Sequence, residues 1–315
     1  MSRLQRRKPR FTREPTGRIE LTERDLAIIQ QVHKHRFLRS THIIDLIPAS
    51  PQTTLRRLQL LYHHGYLDRP REQIDFYARA GSKPIIYALA GKGAELLTRH
   101  LGIARGKIDW RAKNRGLSQL FLDHTLLVAE VMVALEVACR ENTHVRLIDS
   151  EEILAGAPET TRSKPKPLGW SVRVRRHDQQ RSLTVVPDRI FGLHFLDAPE
   201  GKNKAYFFLE ADRATMPVMR KGLNQTSFYR KLLAYAETWR QRLHTELYAI
   251  KNFRVVSVTS SQARLENLLE AARRAAGGRG SGLFLFTERN AIDPATLLTL
   301  QWRSGRDGET VRLLD

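Results

Sequence analysis

The segment at residues 55–69, LRRLQLLYHHGYLDR, shows where a helix ends and an extended segment begins. Apolar side chains in its first part recur at helical spacing, and they predict one buried face on a helix over about residues 51–64. These side chains are Leu55, Leu58, Leu61 and Tyr62. Gly65 then predicts the end of the helix, because glycine readily adopts the left-handed backbone conformation found there.

The elements on either side of this helix complete a recognisable order. Thr22 predicts the start of a first helix, and Asp25, three residues on, completes a capping box. The other predicted elements are a helix at about 40–47, strands at 74–77 and 85–89 around a basic tip at 79–83, and a helix at about 91–101. Three helices followed by a hairpin predict a winged helix-turn-helix DNA-binding domain over residues 19–102.

The side of the 51–64 helix opposite its apolar face is the predicted contact with DNA. It presents Thr53, Arg56 and Arg57. Arginine bonds guanine edges in the major groove, and the threonine methyl group contacts thymine. Arg79 and Lys83 at the hairpin tip are expected to contact phosphate or the minor groove. The alternative is that the helix arginines are only solvated surface charges.

Charge is concentrated in the N-terminal third of the chain. The formal net charge is +20, and residues 1–115 contain 24 Lys and Arg against 10 Asp and Glu. Such an excess favours a polyanionic partner, here double-stranded DNA. Residues 1–18 are predicted to be a disordered basic arm, and residues 103–118 a polar linker.

Other sequence features limit the class of protein. No apolar run is long enough to span a membrane, so we expect no membrane partner. Cys139 is the single cysteine, which excludes an internal disulfide and makes a cytoplasmic location the default expectation. We interpret Cys139 as a small core residue on a helix over 119–141. No phosphate-binding loop or cysteine–histidine zinc spacing occurs.

Residues 119–315 change character and predict an α/β (α+β) domain with a mixed sheet. Strands are expected at 144–149, 170–175, 183–195, 205–212, 253–259 and 282–287, with helices at 119–141, 217–244 and 262–276 and a loop at 156–169. Strand alternation places Val186, Asp188 and Ile190 on one face of TVVPDRIFGL. It places Glu210 and Asp212 on one face of AYFFLEADRATMP.

Carboxylates that converge on neighbouring strands repel each other unless they are protonated or bind a cation. Oxygen ligands of this kind suit Mg²⁺ or Mn²⁺. The predicted metal ligands are Asp188, Glu210 and Asp212. Glu130, on the 119–141 helix, is a further candidate, because a carboxylate on a packed helix face needs a cation or a metal; the alternative is a boundary residue whose carboxylate lies in water.

The order of these elements resembles the PD-(D/E)xK nuclease fold. The resemblance implies that Asp188, after Pro187, and Glu210 bind metal. The lysine of that motif is replaced by Asp212, which puts catalysis in doubt. Lys221 or Lys231, from the following helix, can supply the amine instead.

The whole chain also resembles the replication-relaxation family of bacterial plasmids and integrative elements. The similarity rests on the predicted winged helix and on the segments HTLLVAE, PDR, LEADRATMP and KGLNQTSFYRKLLAYAETW, within about residues 20–260. It implies a role in replication or transfer of mobile DNA, alongside other replication or transfer proteins, and it does not fix a reaction.

Two hypotheses therefore stay open at this point. In the first, the winged helix docks duplex DNA and the second domain nicks it with Mg²⁺. In the second, the protein is a non-enzymatic replication accessory or a transcription regulator with an inert nuclease-like fold. Tyrosine chemistry, with Tyr229 or Tyr235 as nucleophile, is a weaker alternative, since their spacing fits helix packing equally well.

Overall fold

The computed structural model describes residues 10–74, 83–102, 117–176 and 179–315. The chain forms two units, Met1–Val133 and Ala134–Asp315. The first is mainly helical and the second contains a mixed sheet, so the predicted α+β class is confirmed. Arg79, the predicted strand residues 75–77 and linker residues 103–116 lie outside the described residues.

The N-terminal unit follows the predicted helical order. In chain order it contains α1 (Glu23–His35), β1 (Phe37–Arg39), α2 (Ser40–Leu46), α3 (Pro51–His63), β2 (Leu67–Asp68), β3 (Ile86–Leu89) and α4 (Gly91–Leu101). The strands form an antiparallel sheet in the order β1-β3-β2, with Phe37 opposite Ala88 and Leu67 opposite Leu89. The sequence did not predict β1, and a one-turn 3-10 helix at Arg71–Gln73 precedes the predicted 74–77 strand.

Helix α3 begins and ends where the sequence predicts, but one residue of its buried face differs. Ser50 caps the helix start, and Gly65 has a positive φ of 85° just beyond its end. Leu58 and Leu61 are buried, and Thr54 completes this face at helical spacing. The predicted burial of Leu55 is wrong: it lies at the edge of the stripe and is 40% exposed.

An ion pair joins the start of α1 to α3. Thr22 and Asp25 form the predicted capping box, and the Asp25 side chain is fully buried. Arg57 Nε donates to Asp25 Oδ1 at 2.8 Å, and Nη2 donates to Oδ2 and to the Glu20 carbonyl. This hydrogen bonding raises the pKa of Arg57. The prediction that Arg57 lies on a free face of α3 is therefore wrong, because the buried carboxylate requires a cation.

Replacing Arg57 with Ala should destabilise the N-terminal unit by roughly 2–3 kcal/mol, because Asp25 then stays buried without its cation. Urea unfolding of the full chain, followed by circular dichroism, measures the change. Arg56→Ala is the matched control: Arg56 is the preceding residue, is exposed, and should change stability by less than about 0.5 kcal/mol. Equal destabilisation by both variants would contradict the assignment.

The remaining elements surround a larger sheet. They are α5 (Gln119–Glu141), β4 (Val145–Ile148), α6 (Ser150–Ala155), α7 (Glu159–Arg162), β5 (Trp170–Arg176), β6 (Gln179–Val185), β7 (Arg189–Phe195), β8 (Lys204–Asp212), α8 (Phe228–Arg240), α9 (Leu243–Tyr248), β9 (Arg254–Thr259), α10 (Gln262–Ala275), β10 (Phe284–Glu288), β11 (Trp302–Ser304) and β12 (Thr310–Val311). The boundary between the two units lies within α5.

The main sheet has seven strands in the order β12-β11-β10-β9-β8-β7-β4. Strand β9 runs parallel to both β8 and β10, and the other neighbours are antiparallel. Within the described ranges, strands β5 and β6 pair with each other and with no other strand, as a separate ribbon. The core of this unit lies between the sheet, α8, α10 and the ribbon, where Phe208 stacks on Phe253 with ring centres 4.4 Å apart.

Two predicted elements of this unit are wrong in extent. The single strand at 183–195 is two strands in different sheets, because the chain leaves β6 at Val186 and enters β7 only after Pro187 and Asp188. The helix at 217–244 begins only at Phe228, where the Ser227 side chain accepts from the backbone of Arg230. The helical pattern predicted for 217–244 therefore corresponds to a helix only from Phe228 onward.

Smaller predictions have mixed outcomes. Helices α6 and α7 precede and interrupt the loop expected at 156–169, and β11 and β12 form in the C-terminal segment that had no assignment. Cys139 is buried as expected, and burial raises the pKa of its thiol to about 11. Among the described residues, none of the helices is both long enough and apolar enough to cross a bilayer.

Candidate active site and nucleic-acid interface

Asp188 and Glu210 come together where β7 begins and β8 approaches its end. Asp188 precedes β7, and its backbone N–H donates to the carbonyl of Leu209 at 3.0 Å. Its Oδ2 accepts from the N–H of Ala211 at 2.8 Å. The backbone on both sides of Glu210 thus holds Asp188 in place. The prediction that Val186 and Asp188 share one face of a strand is wrong, because Val186 lies outside the strand and is 54% exposed.

Two side chains of α8 neutralise and hold Glu210. Glu210 is 2% exposed, and its Oε2 accepts from Lys231 Nζ at 2.5 Å. Its Oε1 accepts from the Tyr235 hydroxyl at 2.6 Å. Lys231 and Tyr235 are four residues apart, so they project from the same side of the helix. The Lys231 side chain as a whole is 34% exposed.

Burial dominates the electrostatics of this cluster. It raises the pKa of Glu210 to about 7; Lys231 opposes the shift and the charge of Asp188 adds to it. Burial alone would lower the pKa of Lys231, but Glu210 and Asp188 raise it above its usual value, so the amine is charged. Burial also raises the pKa of Tyr235, which keeps its hydroxyl protonated as a donor to Glu210 and disfavours it as a nucleophile.

Asp212 lies on the same face of β8 as Glu210 but is held by a different cation. Arg264 Nε donates to Asp212 Oδ2 at 2.7 Å and Nη2 donates to Oδ1 at 3.0 Å. The Thr259 hydroxyl donates to Oδ2 at 2.8 Å. Both Asp212 oxygens are therefore engaged, so a metal ion at Asp212 would have to displace Arg264 or Thr259. Sequence reasoning missed Arg264, because only the fold brings α10 next to β8.

The other two predicted catalytic residues have different surroundings. Lys221 is exposed in the irregular segment before α8, and it was the competing candidate for the amine supplied by Lys231. Glu130 belongs to the N-terminal unit, where its Oε2 accepts from Arg39 Nη1 at 2.8 Å. This ion pair accounts for the carboxylate on the packed face of α5.

The donors available to a metal ion are few. Within the described part of the chain, no group of three or more histidine, cysteine, aspartate or glutamate side chains is placed to bind one. Two neighbouring carboxylates remain to be considered: Asp188 accepts from the N–H of Ala211, next to Glu210, and its charge contributes to the raised pKa of Glu210. Mg²⁺ is often held by one or two carboxylates, with water and substrate phosphate supplying the remaining ligands. The donor set therefore fits a magnesium ion that binds together with a phosphate-containing substrate.

The second candidate site is the exposed face of α3. It presents Gln52, Thr53, Arg56 and Gln59. No ion pair to Arg56 is found among the described residues. Thr53 also accepts from the Ser50 hydroxyl at 2.8 Å. Sequence reasoning missed Gln52 and Gln59, although their helical spacing from Arg56 would have identified them.

Part of the predicted basic arm lies against this unit. Arg13 Nε donates to the Tyr62 carbonyl, and Nη2 donates to the Leu67 carbonyl and to Asp68, each at 3.0 Å. Arg10 donates to the carbonyl of Lys83, whose own side chain is exposed. The contacts of Arg10 and Arg13 order this part of the arm beside α3 and the sheet.

The raised pKa of Glu210 predicts a pH-dependent effect of Lys231. Ionising the buried carboxyl costs folded-state stability progressively as the pH rises from the ordinary glutamate range to about 7. Lys231→Met removes the cation that offsets this cost. We expect the variant's loss of unfolding free energy to be larger at about pH 8 than at about pH 5 by roughly 1–3 kcal/mol.

Urea unfolding in EDTA at both pH values provides the measurement. Lys221→Met, which changes an exposed lysine, should show no such pH dependence. Adding Glu210→Gln to Lys231→Met should remove the pH-dependent part of the loss. If Lys231→Met lost the same unfolding free energy at both pH values, Lys231 would not be stabilising an ionised Glu210.

Comparison with known proteins gives one match. The family model described as replication-relaxation matches residues 29–252, more than two thirds of the chain. No curated protein and no solved structure matches this chain. The matched range includes α3 of the N-terminal unit as well as Asp188, Glu210 and Lys231. The chain belongs to the replication-relaxation family.

Proposed function

We propose that this protein binds DNA of a plasmid or integrative element and acts in its replication or transfer, with the N-terminal unit holding the duplex. Family membership supports the replication context. The order α1-β1-α2-α3-β2-β3 and the β1-β3-β2 sheet agree with a winged helix-turn-helix. The basic excess of residues 1–115 supplies the attraction for a polyanion.

The exposed residues of α3 fit the major groove chemically. Arg56 can donate two hydrogen bonds to guanine, and Gln52 and Gln59 can pair with adenine. The methyl group of Thr53 can contact thymine. Arg57 is left out of this interface, because its guanidinium is already paired with Asp25. The face that carries the proposal is therefore exposed, polar and positively charged.

Arg56→Ala should weaken binding to duplex DNA by about tenfold or more, since a bidentate arginine–guanine contact contributes about 1–3 kcal/mol. Fluorescence anisotropy with a labelled duplex over a series of salt concentrations measures the change. Affinity should fall steeply with salt, with a slope of about −0.9 per neutralised phosphate. Arg99→Ala, which removes an exposed arginine of α4, is the control and should bind like the wild type. Identical affinities of the two variants would reject α3 as the interface.

We also propose that the cluster at Asp188 and Glu210 nicks DNA with Mg²⁺ or Mn²⁺. The observation that carries this proposal is the contact of Lys231 with Glu210, beside Asp188. It brings two carboxylates and an amine together although the motif lysine is absent. The chain order α5, β4, β7, β8, α8, β9 agrees with the order of elements on which the resemblance to the nuclease fold rests.

Each residue of the cluster has a distinct part in this reaction. Asp188 and Glu210 would hold the metal ion, which when bound lowers the pKa of water and offsets phosphate charge. Tyr235 holds Oε1 of Glu210 and so orients the carboxylate. The charged amine of Lys231 can neutralise charge that develops on a phosphate oxygen. Asp212 and Arg264 position the end of β8 and do not contact the substrate.

One observation favours the non-enzymatic alternative. Both oxygens of Glu210 have protein donors, so a metal ion must compete with Lys231 for Oε2. Asp212, at the position of the motif lysine, is neutralised by Arg264. A nuclease-like fold with these internal pairs is stable without a metal and can serve DNA binding alone.

Relaxation of a supercoiled plasmid distinguishes the two functions. With Mg²⁺ or Mn²⁺ we expect nicked product from the wild type, and a loss of at least about a hundredfold, or about 2.7 kcal/mol, in Asp188→Asn and Glu210→Gln. Glu246→Gln changes an exposed carboxylate and should keep full activity. Wild-type protein that binds DNA but leaves the plasmid supercoiled with either metal would establish the non-enzymatic function.

A further inference from the structure

Strands β5 and β6 form a two-stranded antiparallel ribbon outside the main sheet. Pairing runs without interruption from Trp170 opposite Val185 to Arg176 opposite Gln179. The inner face of the ribbon is apolar and belongs to the core: it consists of Trp170, Val172, Val174, Leu183 and Val185. The ribbon packs on α8, and the Trp170 indole N–H donates to the Thr238 hydroxyl at 2.8 Å.

The outer face of the ribbon has the opposite composition. Its exposed side chains are Ser171, Arg173, Arg175, Gln180, Ser182 and Thr184. Across the strands, Arg173 lies opposite Ser182 and Arg175 opposite Gln180. Among the side chains described on this face, none is acidic, and neither arginine has an ion pair within the described residues. The face is thus a row of hydrogen-bond donors with positive charge.

A solvated sheet face needs no such uniform composition. Surfaces that serve only solubility mix charges of both signs, and the neighbouring surface of α8 does so, with Arg240 paired to Glu237. Arg173 and Arg175 repel each other in the free protein, and an anionic partner would remove this unfavourable electrostatic energy. Charge complementarity therefore indicates a polyanion as the occupant.

The shape of the ribbon selects one polyanion. The major groove of B-form DNA, about 12 Å wide, admits a two-stranded β-ribbon. The outer face offers the side chains that recognise base edges there, namely arginine for guanine, glutamine for adenine and hydroxyls for either. Regular pairing to the Arg176–Gln179 end keeps these side chains in a fixed array.

The position of the ribbon connects it with the acidic cluster. Strand β6 ends at Val185, three residues before Asp188, and the inner face packs on the helix that carries Lys231. We propose that the outer face of the β5–β6 ribbon is a second duplex-DNA-binding surface, which enters the major groove next to the site at Asp188 and Glu210. This inference rests on the proposed DNA-binding function and adds an interface in the C-terminal unit.

The double variant Arg173→Ala/Arg175→Ala tests the ribbon in the full chain. Its affinity for a duplex, measured by fluorescence anisotropy, should fall about tenfold or more. Arg279→Ala/Lys251→Ala is the matched control, because it removes the same charge from two other exposed positions of the same unit. Both variants alter exposed side chains, so circular dichroism and the unfolding midpoint should match the wild type.

A second measurement tests entry into the major groove. A duplex with 7-deazaguanine lacks the guanine N7 acceptor in that groove and keeps the phosphates unchanged. In an Arg56→Ala background, which removes the contact proposed for α3, this duplex should bind several-fold more weakly than normal DNA. Adding the ribbon substitutions should abolish the difference.

The outcomes separate this inference from the proposed function. Wild-type protein that does not bind duplex DNA would reject the proposed function itself. Wild-type binding, together with equal affinities of the ribbon and control variants, would overturn the ribbon alone. If the 7-deazaguanine duplex still bound as much more weakly than normal DNA after the ribbon substitutions, the placement of the ribbon in the major groove would be overturned.

Discussion

The buried carboxylate of Glu210 imposes the main constraint on the C-terminal unit. A charged group at 2% exposure within a seven-stranded sheet is tolerated only with close donors, and Lys231 and Tyr235 supply them. Both donors come from one side of α8, so this helix must lie across β8 at a defined height. The β5–β6 ribbon packs on α8 in turn, and its place follows from the same requirement.

The same contacts create a conflict between stability and chemistry. Lys231 offsets the cost of burying Glu210, and it also occupies the oxygen that a metal ion would use. The pKa of Glu210 is raised to about 7, so its charge responds to modest changes in its surroundings.

Neighbouring arginines of α3 show how burial separates roles that sequence alone makes equivalent. Arg57 is bound to the buried Asp25 and stabilises the helix arrangement. Arg56, one residue earlier, is exposed to solvent. A similar difference occurs in the other unit, where the side chain of Arg264, which neutralises Asp212, is 12% exposed, and that of Lys231, which is bonded to Glu210, is 34% exposed.

Local patterns in the sequence determined much of this protein. Helical spacing and caps predicted α1, α3, α4 and α5 closely, because these elements depend on near neighbours in the chain. The PDR and LEAD segments identified Asp188 and Glu210 as a pair, and Lys231 was one of two candidate lysines. Family membership agreed with these segments.

Only the tertiary structure decided which charges are paired. Arg57 with Asp25, Arg264 with Asp212 and Lys231 with Glu210 are separated by 32, 52 and 21 residues, so no local pattern relates them. The division of 183–195 into two strands of different sheets also depends on pairing partners that lie far apart in sequence. The sequence therefore determined which residues were candidates, and burial in the fold decided which of them are paired internally and which remain exposed to solvent.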